Sequence, residues 1–183
     1  MASNYNTEGF QQNLKYNEDN LIIAQKFFEE RGYRCTKPNS MGAKTGGVSL
    51  NLTNPASPRD FIPVSVKADS WIGRTGNLVI ELQHVRKNAY GQQMKENGWF
   101  KDLRAQKLVV IDTTGQYIYL FDWTRLKAFI SANLEDPSVC KVQEQENRFD
   151  KKCMTTNAFI KIELLEKEGL VDAKRKYQFA EEA

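Results

Sequence analysis

The fold of this chain depends on the stretch Phe61-Ile62-Pro63-Val64-Ser65-Val66-Lys67-Ala68-Asp69 and on the run Leu78-Val79-Ile80-Glu81-Leu82-Gln83-His84-Val85 that follows it. Both alternate apolar and polar residues, a pattern typical of β-strands that bury one face. Between them, Gly73-Arg74-Thr75-Gly76-Asn77 has the composition of a turn. The two strands are therefore predicted to form an antiparallel hairpin.

The predicted hairpin brings chemistry-bearing side chains to one face. With the turn at its centre, Asp69 faces Glu81 and Lys67 faces Gln83. Because side chains alternate between the two faces of a strand, these four share one face and the apolar residues form the other. Mg²⁺ takes oxygen ligands from one or two carboxylates and keeps water and substrate phosphate as the rest. The pattern therefore predicts a divalent-metal site at Asp69 and Glu81.

A solvated network across the hairpin is the alternative interpretation of the same four residues. Lys67 would then pair with Asp69 or Glu81, and Gln83 would complete the network. Such cross-strand pairs contribute about 0.2–1 kcal/mol each. The spacing alone leaves both interpretations open.

The rest of the chain alternates predicted helices and strands. Helices are predicted from near Asn17 to Gly32, within 86–106, from Asp122 or Thr124 to Asn133, and over 164–168. Further strands are predicted over 33–36, 48–53, 107–112, 117–122 and 158–162. This plan is typical of an α/β or α+β fold with a mixed sheet. We expect a flexible segment over 1–15 and one domain over 16–183, with a loop-rich insertion at 135–157.

Composition limits the class of protein. The 183 residues, 40% hydrophobic and 27% charged, are typical of one globular domain. No apolar run approaches the roughly 20 residues that cross a bilayer, and no secretory signal is visible, so a cytoplasmic location is expected. Three cysteines at wide spacing argue against a disulfide framework, and a single histidine, His84, excludes a His-rich metal centre.

The net charge of +3 is small, but basic residues are unevenly distributed. Between His84 and Lys107, six cations stand against two anions, and such a stretch can hold phosphates. A solvated helix face is the alternative. The residues proposed to contact a nucleic-acid backbone are Arg74, Arg86, Lys87 and, in a glycine-rich loop, Lys44.

The spacing of the acidic residues resembles a known nuclease motif. Asp69, eleven intervening residues and Glu81-Leu82-Gln83 resemble the PD-(D/E)XK motif, with glutamine where lysine is usual. A helix that ends in Gly32-Tyr33 precedes the motif, as in Holliday-junction-resolvase-like members. The similarity to small phage-encoded members of this superfamily covers roughly residues 16–130.

The resemblance implies a fold, an activity and a cofactor. The fold would be a restriction-endonuclease-like mixed central β-sheet with an antiparallel hairpin, flanked by helices. The activity would be metal-dependent DNA endonuclease cleavage, with Mg²⁺ or Mn²⁺ on Asp69 and Glu81, while Gln83 and Lys67 orient the water or the scissile phosphate. The partner would be double-stranded or branched DNA. A homodimer would provide one active site for each of the two strands. A phage-encoded member would act in the host cytoplasm.

The sequence also departs from the family pattern. Phage-type members normally have Glu-Val-Lys where this chain has Ser65-Val66-Lys67. They also have an aspartate on the preceding strand, whereas this chain has Ser49 and Asn51 there. Two hypotheses follow. The metal site has moved to Asp69, Glu81 and Gln83, or the domain is inactive and binds nucleic acid or a protein partner.

Three further residues have a functional and a structural interpretation. Glu18 is an extra metal ligand or a glutamate stabilised by the helix dipole. His84 is predicted to be structural and to point away from the site. Trp71 packs against the core or stacks a nucleic-acid base beside the site.

Overall fold

The computed structural model describes residues 7–88, 90–146 and 153–178, apart from the side chains of residues 7–16 and Lys44. Over these ranges the chain is a mixed α+β protein, which confirms the predicted fold class. The helices are α1 (Thr7–Glu29), α2 (Met41–Thr45), α3 (Ile72–Thr75), α4 (Trp99–Asp102), α5 (Trp123–Asn133) and α6 (Ile162–Lys167). The strands are β1 (Arg34–Thr36), β2 (Leu50–Asn54), β3 (Ser57–Asp69), β4 (Asn77–Lys87), β5 (Gln93–Asn97), β6 (Lys107–Asp112), β7 (Tyr117–Asp122), β8 (Lys141–Glu146), β9 (Cys153–Lys161) and β10 (Val171–Lys176).

A mixed six-stranded sheet forms the centre of the fold. Its strand order is β1-β2-β3-β6-β7-β10, and β3 runs parallel to β6 while the other neighbours are antiparallel. Helix α1 covers one face, where Ala24 and Phe27 pack with Val64 and Val109. Alternation along β3 places Ser65, Lys67 and Asp69 on the other face.

A second, antiparallel sheet has the order β5-β4-β9-β8. Leu78 and Ile80 of β4 lie opposite Ile160 and Ala158 of β9, and all four are buried. They pack with residues of β6, β7, α5 and α6 in one apolar core. One face of the second sheet is therefore committed to the core.

The predicted hairpin between residues 61–69 and 78–85 is wrong. Strand β3 has neighbours on both edges, β2 and β6, so no edge remains for β4. The short helix α3 ends at Gly76, whose φ of 71° is in the left-handed region, and the chain then enters the second sheet. Strand β2 pairs with the other edge of β3, and Leu52 lies opposite Ile62.

Strands with little apolar alternation are not predicted from the sequence. The segment predicted as a loop-rich insertion, 135–157, contains β8 and the start of β9, and residues 147–152 lie outside the described ranges. Strands β5 and β8 are edge strands made almost entirely of exposed residues, so neither shows the pattern of a buried face. Strand β10 is also an edge strand and was not predicted.

The ends of the helices follow local chemistry. Helix α1 begins at Thr7 rather than near Asn17, so residues 7–15 of the predicted flexible segment are helical and residues 1–6 lie outside the description. The predicted cap of α5 is confirmed, because Asp122 accepts a hydrogen bond of 3.1 Å from the backbone of Arg125. None of the helices described is long and apolar enough to cross a membrane.

Candidate functional site at the junction of the two sheets

A cavity of about 290 Å³ lies where the end of β3 meets β4. The polar and aromatic residues that line it are Lys67, Asp69, Ser70, Trp71, Glu81, Trp99 and Asn157. Three of the four predicted catalytic residues are thus brought together, although Lys67 and Asp69 belong to one sheet and Glu81 to the other. Their proximity comes from the packing of the sheets and not from a hairpin.

The carboxylate of Asp69 joins the two sheets. Its Oδ1 accepts a hydrogen bond of 2.6 Å from the backbone N–H of Trp71, and its Oδ2 accepts one of 3.3 Å from that of Val79 on β4. Burial raises the pKa of Asp69 above its usual value, the backbone hydrogen bonds oppose that rise, and the nearby charge of Asp112 adds to it. Asp69 therefore holds the junction together as well as lining the cavity.

Lys67 is the cation of the cavity. Its Nζ lies 5.2 Å from the centre of the Trp99 ring, within the range of a cation–π contact. Burial lowers the pKa of Lys67, and the negative charge of Glu81 opposes that shift. The ammonium group therefore lies near an aromatic ring and feels the negative charge of Glu81.

A β-bulge separates Glu81 from Gln83. Glu81 lies opposite Asn157 of β9, whereas Gln83 lies opposite Thr156, the adjacent residue. Because opposed residues share a face and adjacent residues alternate, Glu81 and Gln83 point to opposite faces. The prediction that Gln83 shares the face of Glu81 is wrong, and Gln83 is not among the residues lining this cavity.

Gly98 fits closely against this bulge. Its backbone N–H donates to the carbonyl of Leu82 over 2.9 Å. A Cβ at this position would lie 2.3 Å from the carbonyl oxygen of Glu81, closer than any real side-chain contact. Only glycine allows this approach, which also brings the next residue, Trp99, to the cavity.

The bulge also changes the position of His84. His84 lies opposite Thr155, two residues from Asn157, so it shares the face of Glu81. Its Nδ1 lies 3.3 Å from Oε1 of Glu81, and its Nε2 lies 2.6 Å from Oε2 of Glu96. The prediction that His84 points away from the site is wrong, because the alternation on which it rested is interrupted.

The predicted nucleic-acid contacts do not form one patch around the cavity. Arg74 is exposed on α3, beside the start of β4, whereas Arg86 and Lys87 are exposed at its other end. From Asn77 to Arg86 a strand extends about 30 Å. The side chain of Lys44 lies outside the part of the chain that is described.

Neither Glu18, predicted as an extra ligand, nor Ser65, at the position of the family's usual glutamate, lines the cavity. Glu18 lies on α1, which covers the opposite face of the central sheet from Lys67 and Asp69. Ser65, which stands where a glutamate is usual, is completely buried, and its Oγ has no hydrogen-bond partner among the described residues. Its neighbour on β6 is the buried Leu108.

The donor set for a metal ion is limited to two carboxylates. Over the described ranges, no group of three or more His, Cys, Asp or Glu residues is placed to hold a metal ion. Asp69 and Glu81 nevertheless line the same cavity. That number fits Mg²⁺, which is commonly bound through one or two carboxylates together with water and substrate phosphates.

Comparison of the chain with protein-family models, curated proteins and solved structures finds no significant match. The resemblance to PD-(D/E)XK nucleases therefore stays a prediction from the residues quoted above.

Proposed function

We propose that this chain is a metal-dependent nuclease that hydrolyses phosphodiester bonds of DNA at the cavity between its two sheets. The observation that carries the proposal is the convergence of Lys67, Asp69 and Glu81 on one cavity from two different sheets. Lys67 and Asp69 are desolvated by burial, and desolvated titratable groups that converge in a cleft are typical of functional sites.

Asp69 and Glu81 would hold Mg²⁺ or Mn²⁺. When bound, such an ion polarises the phosphate and lowers the pKa of an attacking water molecule. The ammonium group of Lys67 would contact a non-bridging phosphate oxygen, with Trp99 holding its orientation. Gln83 has no role in this arrangement, because it lies on the other face of β4.

The second candidate is a catalytically inactive domain that binds nucleic acid. It is favoured by the contacts that the two carboxylates already make. Both oxygens of Asp69 accept backbone hydrogen bonds, and Glu81 contacts the imidazole of His84. On this hypothesis the acids stabilise the junction and no metal is needed.

A cleavage assay separates the two candidates. Labelled duplex, single-stranded and branched DNA would be incubated with the protein in Mg²⁺, Mn²⁺ or EDTA. We expect metal-dependent cleavage that Glu81→Gln and Lys67→Met reduce on the order of 100-fold. Glu163→Gln is the matched control, since Glu163 is an exposed glutamate of α6 that does not line the cavity.

Absence of cleavage of all three substrates in either metal would overturn the nuclease proposal. Salt-dependent DNA binding in EDTA would then support the second candidate. A homodimer, the arrangement expected of an enzyme that cuts two strands, is tested separately by light scattering with and without duplex DNA.

A further inference from the structure

A second cavity, of about 370 Å³, adjoins the candidate active site. Trp71 lines both cavities. The other residues of interest around the second cavity come from β8 and β9: Lys141, Gln143, Gln145, Phe159 and Lys161. Together with Trp71, these five residues form a surface that we call the platform.

The register of the second sheet explains why these side chains lie together. Lys141 lies opposite Phe159, and Gln143 and Gln145 follow on β8 at steps of two residues. Lys161 is two residues from Phe159 on β9, so all five point to one face. The opposite face of β9 contributes Ala158 and Ile160 to the core. Five of the six platform residues thus lie on regular strands, and Trp71 precedes α3.

The charge of the platform is of one sign. Lys141 and Lys161 are exposed, and neither forms an ion pair with any residue that the structure describes. No aspartate or glutamate is among the residues lining this cavity. Such an arrangement suits an anionic ligand with spaced charges.

The platform also has an aromatic surface. The rings of Trp71 and Phe159 lie with centroids 6.4 Å apart and planes at 76°, and both side chains are partly exposed. Partly exposed aromatic rings that line a cavity are suited to stacking a flat heterocycle. Lysines, amides and aromatic rings on one sheet face are the combination that recognises unpaired nucleotides, with bases on rings and phosphates on lysines.

We propose that the platform binds a single-stranded segment of nucleic acid. A base stacks against Trp71 and Phe159, and the flanking phosphates contact Lys141 and Lys161. Because Trp71 is shared, the strand continues into the cavity that contains Lys67. That last step rests on the proposed nuclease function, whereas binding itself requires neither a metal ion nor catalysis.

Binding is measured by fluorescence anisotropy in EDTA, which prevents hydrolysis. The probes are labelled oligothymidylate of about 12 nucleotides, the same length of abasic DNA, the corresponding duplex and oligouridylate. With the wild-type chain, we expect the abasic strand and the duplex to bind about tenfold more weakly than oligothymidylate. Comparison of oligothymidylate with oligouridylate distinguishes DNA from RNA as the source of the strand.

Two variants test the residues. Lys141→Gln with Lys161→Gln removes two phosphate contacts, so the slope of log affinity against log salt should fall by about 1.4. The matched control is Lys167→Gln with Lys176→Gln, which changes the charge equally at exposed positions that do not line the cavity.

Phe159→Leu keeps an apolar side chain on β9 and should weaken binding of oligothymidylate but not of the abasic strand.

Equal affinity for oligothymidylate and abasic DNA, or an equal loss in the platform and control lysine variants, would overturn the proposal. Because these measurements need no turnover, failure of cleavage with intact platform binding overturns only the nuclease function. Cleavage without selective binding of the unpaired strand overturns only the platform.

Discussion

The imidazole of His84 lies 3.3 Å from the carboxylate of Glu81, although the two residues are three positions apart on a β-strand. A regular strand would place them on opposite faces. The bulge between Glu81 and Gln83 reverses the alternation and brings the single histidine of the chain beside the candidate active site. Glu96 holds the other ring nitrogen at 2.6 Å, so the ring is fixed from both sides.

His84 is predicted to be a positioning residue for Glu81. Replacement by alanine removes the ring contact while leaving Lys67, Asp69 and Glu81 in place. We expect DNA cleavage to fall 10- to 100-fold, mainly through kcat, as is typical when a partner that orients a ligand is lost. Steady-state kinetics in Mg²⁺ provide the measurement.

Thr155→Ala is the control for that variant, because Thr155 lies opposite His84 and its hydroxyl bonds with Gln145 and Asn157 instead of Glu81. It should leave kcat within about twofold. A change in KM with kcat unaltered in His84→Ala would contradict the positioning role. An equal fall in kcat in both variants would contradict it as well.

Gly98 is predicted to tolerate no side chain. In Gly98→Ala the new Cβ would meet the carbonyl of Glu81 at 2.3 Å, and the backbone of β4 or of the residues before α4 would have to shift. We expect a loss of about 1–3 kcal/mol in the free energy of unfolding, measured by urea denaturation. Gly42→Ala is the comparison, since nothing lies within 4 Å of its Cβ position in α2. A Gly98→Ala variant as stable as the Gly42→Ala variant would refute the steric argument.

Asp112 is predicted to stabilise the turn between β6 and β7. Its Oδ1 accepts hydrogen bonds from the backbone N–H groups of Thr114 (3.0 Å) and Gly115 (2.9 Å), and the residue is 1% exposed. Asp112→Ala leaves these donors without that acceptor, so thermal unfolding should show a loss of about 1–3 kcal/mol.

Asp136 provides a matched comparison, because it accepts an equivalent bond of 2.9 Å from the backbone of Ser138 at an exposed turn. Water can replace the acceptor there, and Asp136→Ala should cost no more than about 0.5 kcal/mol. Equal losses in the two variants would show that burial does not set the cost at Asp112.

Cys35 is predicted to be poorly reactive at neutral pH. Burial and, secondarily, the negative charge of Glu29 raise the pKa of its thiol to about 11. Since the thiolate is the reactive form, iodoacetamide should label Cys35 about 100-fold more slowly in the folded chain than in urea at about pH 8. The rate should then rise with pH towards the raised pKa, as followed by peptide mass spectrometry. Equal rates in the folded and unfolded chains would contradict the effect of burial on this thiol.

Several parts of the fold could be predicted because local chemistry decides them. Asp122 is followed by a helix whose first turn needs a hydrogen-bond acceptor, and β6 and β7 contain continuous or alternating apolar residues. The exposed strands β5 and β8 have no apolar face, so their pairing leaves no periodic signal in the sequence. Residue type and spacing indicate Lys67, Asp69 and Glu81 as neighbours, and the three do line one cavity. The predicted hairpin does not explain this, because the residues belong to two different sheets.

The sequence by itself determined that 61–69 and 78–85 are strands and that helices flank a mixed sheet, and it indicated Lys67, Asp69 and Glu81 as candidate site residues. Only the tertiary structure decided that these strands belong to different sheets, that Gln83 turns away and that His84 turns in. The physical reason is competition for strand edges. Any strand can pair with the backbone donors and acceptors of a free strand edge. The neighbour of each edge is therefore selected by tertiary packing. In this fold β6 pairs with β3, and β9 pairs with β4, although both are distant in sequence from the predicted turn.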